Sequence, residues 1–193
     1  MANKFIYLVR HGQYQSTTNP PDEPDGNLTK IGQEQSEMVA QRLSSFPVSI
    51  IHHSTLQRAQ ETASIIGSQF PNARLSPSGL IRECIPCVPE AFRQHFEHIP
   101  SSYIEQSKEQ AEQAFSSFFN PLIDAETDQH EIIVSHGNLI SHFVCRVLQA
   151  PCESWVKTDI NLCGFSEIII SAQGFMKVLR HNETGHLPSH LKV

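Results

Sequence analysis

The stretch Phe5-Ile6-Tyr7-Leu8-Val9-Arg10-His11-Gly12-Gln13 decides how this chain is interpreted. Its five consecutive apolar residues predict a short strand that is buried on both faces. The strand then stops at an arginine, a histidine and a glycine. Open α/β sheets bind ligands at the carboxyl ends of their strands, so Arg10 and His11 are better placed for a ligand than for stability. We therefore predict an anion-binding site at this strand end.

The bulk composition excludes several classes of protein. The 193 residues suit one domain with a sizeable core, and the apolar fraction of 39% is ordinary for a soluble protein. A net charge of -6 argues against a nucleic-acid partner, which would need a basic surface. No apolar run approaches the roughly 20 residues that span a bilayer, so no membrane partner is expected. Because the first strand begins at once after Met1 to Lys4, we expect no signal peptide and a cytoplasmic location.

Cysteine and histidine spacing predicts no metal and no cofactor. The five cysteines are an odd number and are scattered, which argues against a disulfide framework. Cys84-Ile85-Pro86-Cys87 is a CxxC pair without a second pair, so zinc or redox work is a minor alternative for it. The eleven histidines show no HExxH spacing.

Strands alternate with helices along the chain, which predicts one α/β domain over residues 1–193 with a mostly parallel sheet and an antiparallel edge strand. The predicted elements after the first strand are a helix capped by Thr29, a strand over 48–52, a helix opened by a Ser54-x-x-Gln57 capping box, a short extended piece near 73–75, a helical pattern over 101–125 kinked or restarted at Pro121, a strand over 130–135, a helix capped by Asn138, and a C-terminal hairpin of 165–171 and 175–180.

Three further residues are candidates for the same site. Arg58 falls in the first turn of a helix, where a cation is unfavourable unless an anion shares the position. A surface ion pair with Glu61 or Glu34 is an equally good explanation on local grounds. Glu83 leads from an apolar pair into a Pro- and Cys-rich loop, as either a positioned general acid or a solvated carboxylate. His136 ends a second apolar strand, as His11 ends the first.

Together these residues form a coherent set for phosphoryl transfer. A phosphoryl group needs cations on its oxygens, a nucleophile in line and an acid for the leaving oxygen. Arg10 and Arg58 can bind the oxygens. One neutral histidine can attack phosphorus, and the second, protonated, can stabilise the developing charge.

The motifs resemble those of the histidine phosphatase superfamily, which has the three-layer phosphoglycerate mutase-like fold. Leu8-Val9-Arg10-His11-Gly12 resembles its RHG signature. The other similar motifs, in chain order, are Leu28-Thr29-x-x-Gly32-x-x-Gln35, Ser54-x-Leu56-x-Arg58-Ala59-x-x-Thr62-Ala63, Leu80-x-Arg82-Glu83, Val134-Ser135-His136-Gly137 and His181-Asn182-x-Thr184-x-His186-Leu187. The resemblance covers nearly the whole chain.

The resemblance also implies roles for single residues. His11 is then the phosphorylated nucleophile, Arg10, Arg58 and His136 complete the phosphate pocket, and Glu83 protonates the leaving group. The phosphohistidine is hydrolysed by water without a metal. Secondary phosphate contacts are expected from Gly12, Gln13, Asn138 and His53.

Departures from the mutase pattern favour a phosphatase. Mutases of this fold carry Glu-Ser and an asparagine soon after RHG, whereas this chain has Gln13-Tyr14-Gln15-Ser16, and it is too short for the mutase insertions. Arg10 to Tyr14, Val144 to Pro151 and Trp155 resemble the mitochondrial serine/threonine phosphatase branch. We see no match to that branch's membrane anchor or assembly motif, and expect neither property here.

Two alternatives remain open: a cofactor-dependent phosphoglycerate mutase or bisphosphatase, and a non-catalytic phosphate-binding adaptor. The expected substrate is a phosphorylated small molecule or a phosphoprotein, and a homodimer is compatible with the sequence. Specificity should lie in the loops over Gln13–Gly26 and Cys84–Pro100. The acidic residues Asp22, Glu23 and Asp25 are either a solvated face or a feature that disfavours polyphosphates.

Overall fold

The computed structural model describes residues 2–15 and 26–192, and in them a mixed six-stranded sheet lies between two layers of helices. The strands are β1 (Lys4–Arg10), β2 (Val48–Ser54), β3 (Arg74–Ser78), β4 (Gln129–Ser135), β5 (Phe165–Ile170) and β6 (Met176–Glu183). Their spatial order is β3-β2-β4-β1-β5-β6. The first four run parallel, while β5 is antiparallel to both of its neighbours. The predicted α/β fold with a C-terminal hairpin is therefore confirmed.

The helices cover both faces of this sheet. They are α1 (Lys30–Leu43), α2 (Gln57–Gly67), α3 (Ser101–Phe118) and α4 (Gly137–Val147). Residues of β1 alternate between the two faces: Tyr7 and Val9 pack against α1 and α2, whereas Ile6 and Leu8 pack against α3 and α4. Because both faces of β1 are covered, its near-continuous apolar run is explained.

Three predicted local features differ from the structure. The Ser54-x-x-Gln57 capping box does not form: Leu56 is the N-cap of α2, and Ser54 ends β2. Helix α3 ends at Phe118 and is not kinked by Pro121, in keeping with the unfavourable helical conformation of a residue that precedes proline. The N-cap of α4 is His136, while Asn138 lies in the first turn.

Other local predictions are confirmed. Thr29 caps α1, its side chain accepting a hydrogen bond from the Gly32 N–H. The extended piece near residue 74 is the edge strand β3. The acidic residues Asp22, Glu23 and Asp25, and with them most of the predicted loop over Gln15–Gly26, lie outside the described residues.

Candidate active site

The sheet topology brings the two strand-end histidines together. Strands β1 and β4 are parallel neighbours with Arg10 opposite Ser135. The His11 N–H donates to the Ser135 carbonyl at 3.0 Å, which fixes the chain immediately after β1. The rings of His11 and His136 are consequently 5.1 Å apart between centroids. Residues 125 positions apart in the sequence thus share one strand edge because of strand order alone.

The hydrogen bonds of His11 select one tautomer. Its Nδ1 lies 2.9 Å from the Gly12 carbonyl oxygen, which can only accept, so Nδ1 carries the proton. Its Nε2 receives a hydrogen bond from Arg58 Nε at 3.1 Å, so Nε2 holds a lone pair. Burial lowers the pKa of His11 to about 3, and the Arg58 and Arg10 guanidiniums push it in the same direction against the Gly12 carbonyl. His11 is therefore neutral at physiological pH.

Arg58 lies between both histidines. Its Nη2 is 3.2 Å from His136 Nδ1, while its Nε donates to His11. The side chain is buried, and the Tyr14 ring lies 4.6 Å from the centre of the guanidinium. Because α2 begins at Gln57, the cation stands in the first turn of that helix, as predicted. The structure thus favours the site over the surface ion pair as the explanation of this arginine.

His136 is also neutral in this structure. Since Arg58 can only donate to its Nδ1, the proton is on Nε2, which lies 2.8 Å from Ser54 Oγ. Burial lowers the pKa of His136 well below its usual range, and the neighbouring His11, Arg58 and Arg10 lower it further. In the structure His136 is therefore neutral, whereas the sequence predicts a protonated second histidine.

Arg10 and Glu83 line one cavity of about 330 Å³ at the same strand edge. Arg10 Nη1 donates to the Ile160 carbonyl at 2.6 Å, and its Nε is a buried donor without a hydrogen-bond partner in the described residues. Such a donor is costly to bury unless a ligand accepts from it. The remaining lining residues are Gly137, Asn138, Ser141, Trp155, Val156, Thr158 and Asp159.

Glu83 is half-buried and lies near two arginines. Burial raises the pKa of its carboxyl group, and the backbone N–H groups of Cys84 and Asn138 together with Arg10 oppose that shift. The Cys84 N–H donates to Glu83 Oε1 at 3.1 Å. A carboxyl group that holds its proton to higher pH suits a general acid.

The predicted secondary contacts have mostly structural partners. The Gly12 N–H donates to Thr62 Oγ1 at 3.0 Å, so the structure does not support a phosphate contact from it. Gln13 accepts from Thr29 through Oε1 at 2.6 Å and holds the start of α1. His53 Nδ1 lies 3.0 Å from the Ser54 carbonyl oxygen. Asn138 lines the cavity beside Glu83. Phosphate contacts from the latter three stay predictions.

Sequence reasoning missed three residues that support the site. Ser54 holds His136, although its spacing to Gln57 indicated a helix cap. Thr62 accepts from Gly12 and donates to the Arg58 carbonyl at 2.8 Å, which ties the RHG segment to α2. Tyr14 covers Arg58. Thr62 is part of the motif that begins at Ser54, but the motif alone does not show that its hydroxyl bonds to Gly12.

Residues 2–15 and 26–192 contain neither a metal-binding cluster nor a membrane-spanning helix. Within those ranges, no cluster of three or more His, Cys, Asp or Glu side chains could hold a metal ion. In the same ranges, no helix is both long enough and apolar enough to cross a membrane.

Comparisons with known proteins give a consistent result. Residues 6–85 and 76–184 match the family model described as histidine phosphatase superfamily (branch 1). A mitochondrial serine/threonine-protein phosphatase, PGAM5 of Xenopus tropicalis, is 33% identical over 97% of this chain and 67% of its own length. The chain spans 65–68% of the first such relatives.

Solved structures share the fold. A phosphoglycerate mutase of Plasmodium falciparum has a TM-score of 0.68 and 25% identity, covering 98% of this chain and 96% of its own. A putative α-ribazole-5′-P phosphatase of Escherichia coli has a TM-score of 0.74 and 21% identity, covering 94% of this chain and 98% of its own.

The prediction of a cytoplasmic location is wrong by these comparisons. The relatives that match 97% of the chain are named as mitochondrial proteins. That prediction rested on the position of the first strand close to Met1, and this position does not determine where a protein is located in the cell.

Proposed function

We propose that this chain, which belongs to the histidine phosphatase superfamily, works through a phosphohistidine formed on His11 Nε2. Its similarity to serine/threonine-protein phosphatases shows that it is a phosphoric monoester hydrolase. The observation that carries this proposal is the tautomer of His11. Its Nδ1 proton is held by the Gly12 carbonyl, which leaves the Nε2 lone pair free of a proton and directed into the cationic site. A buried neutral imidazole needs no base to become a nucleophile.

In the first step, the Nε2 lone pair attacks phosphorus and the bond to the ester oxygen breaks. Glu83 gives its proton to that oxygen, so the alcohol leaves neutral. In the second step, water attacks the phosphohistidine, and the Glu83 carboxylate takes the proton of the water. The P–N bond breaks, and its electron pair returns to Nε2. Inorganic phosphate leaves, and both residues regain their starting forms.

The cations of the site are suited to the charge of the transferred group. Arg58 Nε now donates to His11, and an arriving phosphate oxygen would take over that donor and release the Nε2 lone pair for attack. Arg10 Nε, which lacks a hydrogen-bond partner in the described part of the chain, offers a second donor. A bound dianion would also offset the repulsion between His136 and the two arginines, raising the pKa of His136 and making it a donor to the phosphoryl group.

The proposed substrates are phosphoserine and phosphothreonine proteins. The support is the printed name of the relatives, which are serine/threonine-protein phosphatases. Comparing kcat/KM for phosphoserine peptides and for sugar phosphates tests this proposal. Sugar phosphates as the better substrates by tenfold or more would overturn it.

The mutase alternative keeps one observation in its favour, since a solved phosphoglycerate mutase shares the fold at 25% identity. The test is to add 2,3-bisphosphoglycerate and 3-phosphoglycerate and follow the products. Net release of inorganic phosphate without bisphosphate supports the phosphatase. Conversion of 3- to 2-phosphoglycerate that requires bisphosphate would favour the mutase.

A further inference from the structure

Four of the five cysteines lie around one wall of the active-site cavity. Cys84 and Cys87 are on the loop that follows Glu83, and Cys145 is on α4. Cys152 opens the 3₁₀ turn Cys152–Lys157, which also carries the cavity residue Trp155. The Cys87 and Cys152 side chains are neighbours, because the loop that carries Cys87 is hydrogen-bonded to the 3₁₀ turn that Cys152 opens. Both residues are partly exposed, whereas Cys84 and Cys145 are buried.

Backbone contacts hold this thiol pair in place. Trp155 Nε1 donates to the Cys87 carbonyl at 2.9 Å, which ties the loop to the 3₁₀ turn. Beyond that bond, residues 89–92 line one side of a second cavity, and Pro151, Glu153, Ser154, Val156 and Lys157 line the other. The two segments therefore face each other along several residues, and the thiol contact is a consequence of their packing.

A histidine and a carboxylate lie beside the Cys152 thiol. Cys152 Sγ lies 3.8 Å from His142 Nδ1, and His142 Nε2 lies 3.4 Å from Glu112 Oε1. The neutral imidazole can take the thiol proton, and the carboxylate stabilises the resulting imidazolium. Burial raises the pKa of Cys87 to about 12, and the neighbouring Cys152 adds to that shift, so Cys87 stays a thiol.

We propose that Cys152 and Cys87 are a reversible oxidation site at which a hydroperoxide forms a disulfide that slows the phosphatase. The Cys152 thiolate attacks the peroxide, whose O–O bond breaks; one oxygen becomes the sulfenic acid and the other leaves as water or alcohol after protonation. The Cys87 sulfur then attacks the sulfenic sulfur; the S–S bond forms, the S–O bond breaks, and the departing hydroxide takes the Cys87 proton and leaves as water. A dithiol reductant reverses the reaction.

A disulfide here would act on the catalytic acid through the loop. Bonded sulfurs are about 2.05 Å apart, so the two segments must move closer than a thiol–thiol contact requires. Glu83 precedes Cys84 directly, and it shares its cavity with Trp155. Since a displacement of about 1 Å in a catalytic group costs on the order of 100-fold, we expect oxidation to lower kcat about 10- to 100-fold.

Two other uses of these cysteines fit the structure less well. A zinc site would need a further ligand, and the described residues contain no cluster of three or more metal-binding side chains. A disulfide within the CxxC pair would use Cys84, whose thiol is buried and whose pKa is raised by burial and by the neighbouring Glu83.

The experiment treats the full chain with hydrogen peroxide, blocks free thiols, and maps disulfides by mass spectrometry while phosphatase activity is followed. We expect a Cys87–Cys152 bond and the stated loss of kcat, both reversed by dithiothreitol. Cys87→Ser and Cys152→Ser should keep basal activity and lose the reversible inhibition. Cys145→Ser is the matched control, since Cys145 also lies near Cys152 and should leave the response unchanged.

The mapping is independent of the proposed function, because the inactive His11→Asn variant should form the same disulfide. A Cys84–Cys87 bond, or loss of the response in Cys145→Ser, would overturn the assignment. So would oxidation of Cys152 to sulfinic acid while Cys87 stays a free thiol. A Cys87–Cys152 bond without any change in kcat would overturn the coupling to Glu83.

Discussion

Ser54 provides the sharpest test of how the site is positioned. Its hydroxyl accepts the Nε2 proton of His136 at 2.8 Å and the Leu56 N–H at 3.2 Å, and both Ser54 and His136 are wholly buried. Ser54→Ala removes the acceptor without adding volume. The imidazole then has a buried donor with no partner, and only the hydrogen bond from Arg58 to Nδ1 still orients the ring.

The size of the effect follows from that lost partner. A buried donor left unsatisfied costs about 1–3 kcal/mol. If the cost falls on the transition state, kcat drops about 5- to 150-fold, since each 1.4 kcal/mol is a factor of about 10. If it falls on the folded state instead, the free energy of unfolding drops by the same 1–3 kcal/mol, with the lost Leu56 bond included.

Steady-state kinetics and urea unfolding of the same variant separate these two outcomes. We expect kcat to fall with little change in KM, and the His136 ring nitrogens to change their NMR shifts as the Nε2 tautomer loses its partner. Ser49→Ala is the control, because Ser49 lies on the same strand but is exposed. Its hydroxyl donates only a long hydrogen bond, of 3.5 Å, to the His130 carbonyl. A Ser54→Ala variant with wild-type kcat, stability and His136 shifts would refute the positioning argument.

Four further predictions rest on the packing and on the pKa values of Glu83 and His11. Gly12→Ala should lower the free energy of unfolding in a urea titration by about 1–3 kcal/mol, because the added Cβ would lie 2.5 Å from the Gly32 carbonyl oxygen. Gly79→Ala is the control and should lower it much less, because no atom lies within 4 Å of the Cβ added there. Glu83→Gln should slow hydrolysis of alkyl phosphates by about 10²- to 10⁴-fold and that of para-nitrophenyl phosphate less, since the latter leaving group needs no acid. The wild-type kcat should fall as the pH rises through the raised pKa of Glu83, and this limb should vanish in Glu83→Gln. His11 has a pKa of about 3 when folded and 6.5 when unfolded, so the unfolded state binds more protons between these two values. The free energy of unfolding should therefore fall by up to about 1.4 kcal/mol per pH unit as the pH drops through that window. The free energy of unfolding of His11→Asn should fall less steeply over the same pH range.

The sheet and the main site residues could be predicted because their signals are local. The apolar run before Arg10 and the one before His136 each indicate a strand, and parallel strands end at one edge. His11 and His136 lie together because β1 and β4, which precede them, are parallel neighbours in the sheet. Arg58 followed from its unfavourable place in a helix, which is a charge argument that the sequence carries by itself.

The remaining features depend on contacts between distant parts of the chain. Ser54 has the spacing of a capping box, yet its hydroxyl is taken by His136, which is 82 residues away. The protonation state of His136 depends on Arg58 and on burial, and neither can be obtained from local spacing. In the same way, no pattern in the sequence places Cys87 beside Cys152, because their approach results from the Trp155 contact.

Direct detection of the covalent intermediate tests the central claim most closely. Brief exposure to a ³²P-labelled phosphopeptide, followed by alkaline quenching and peptide mapping, should place acid-labile label on His11 at Nε2. The label should be absent in His11→Asn and should form more slowly in Glu83→Gln, which lacks the acid for the leaving oxygen of the phosphopeptide. Label on any other residue, or full turnover by His11→Asn, would contradict the account.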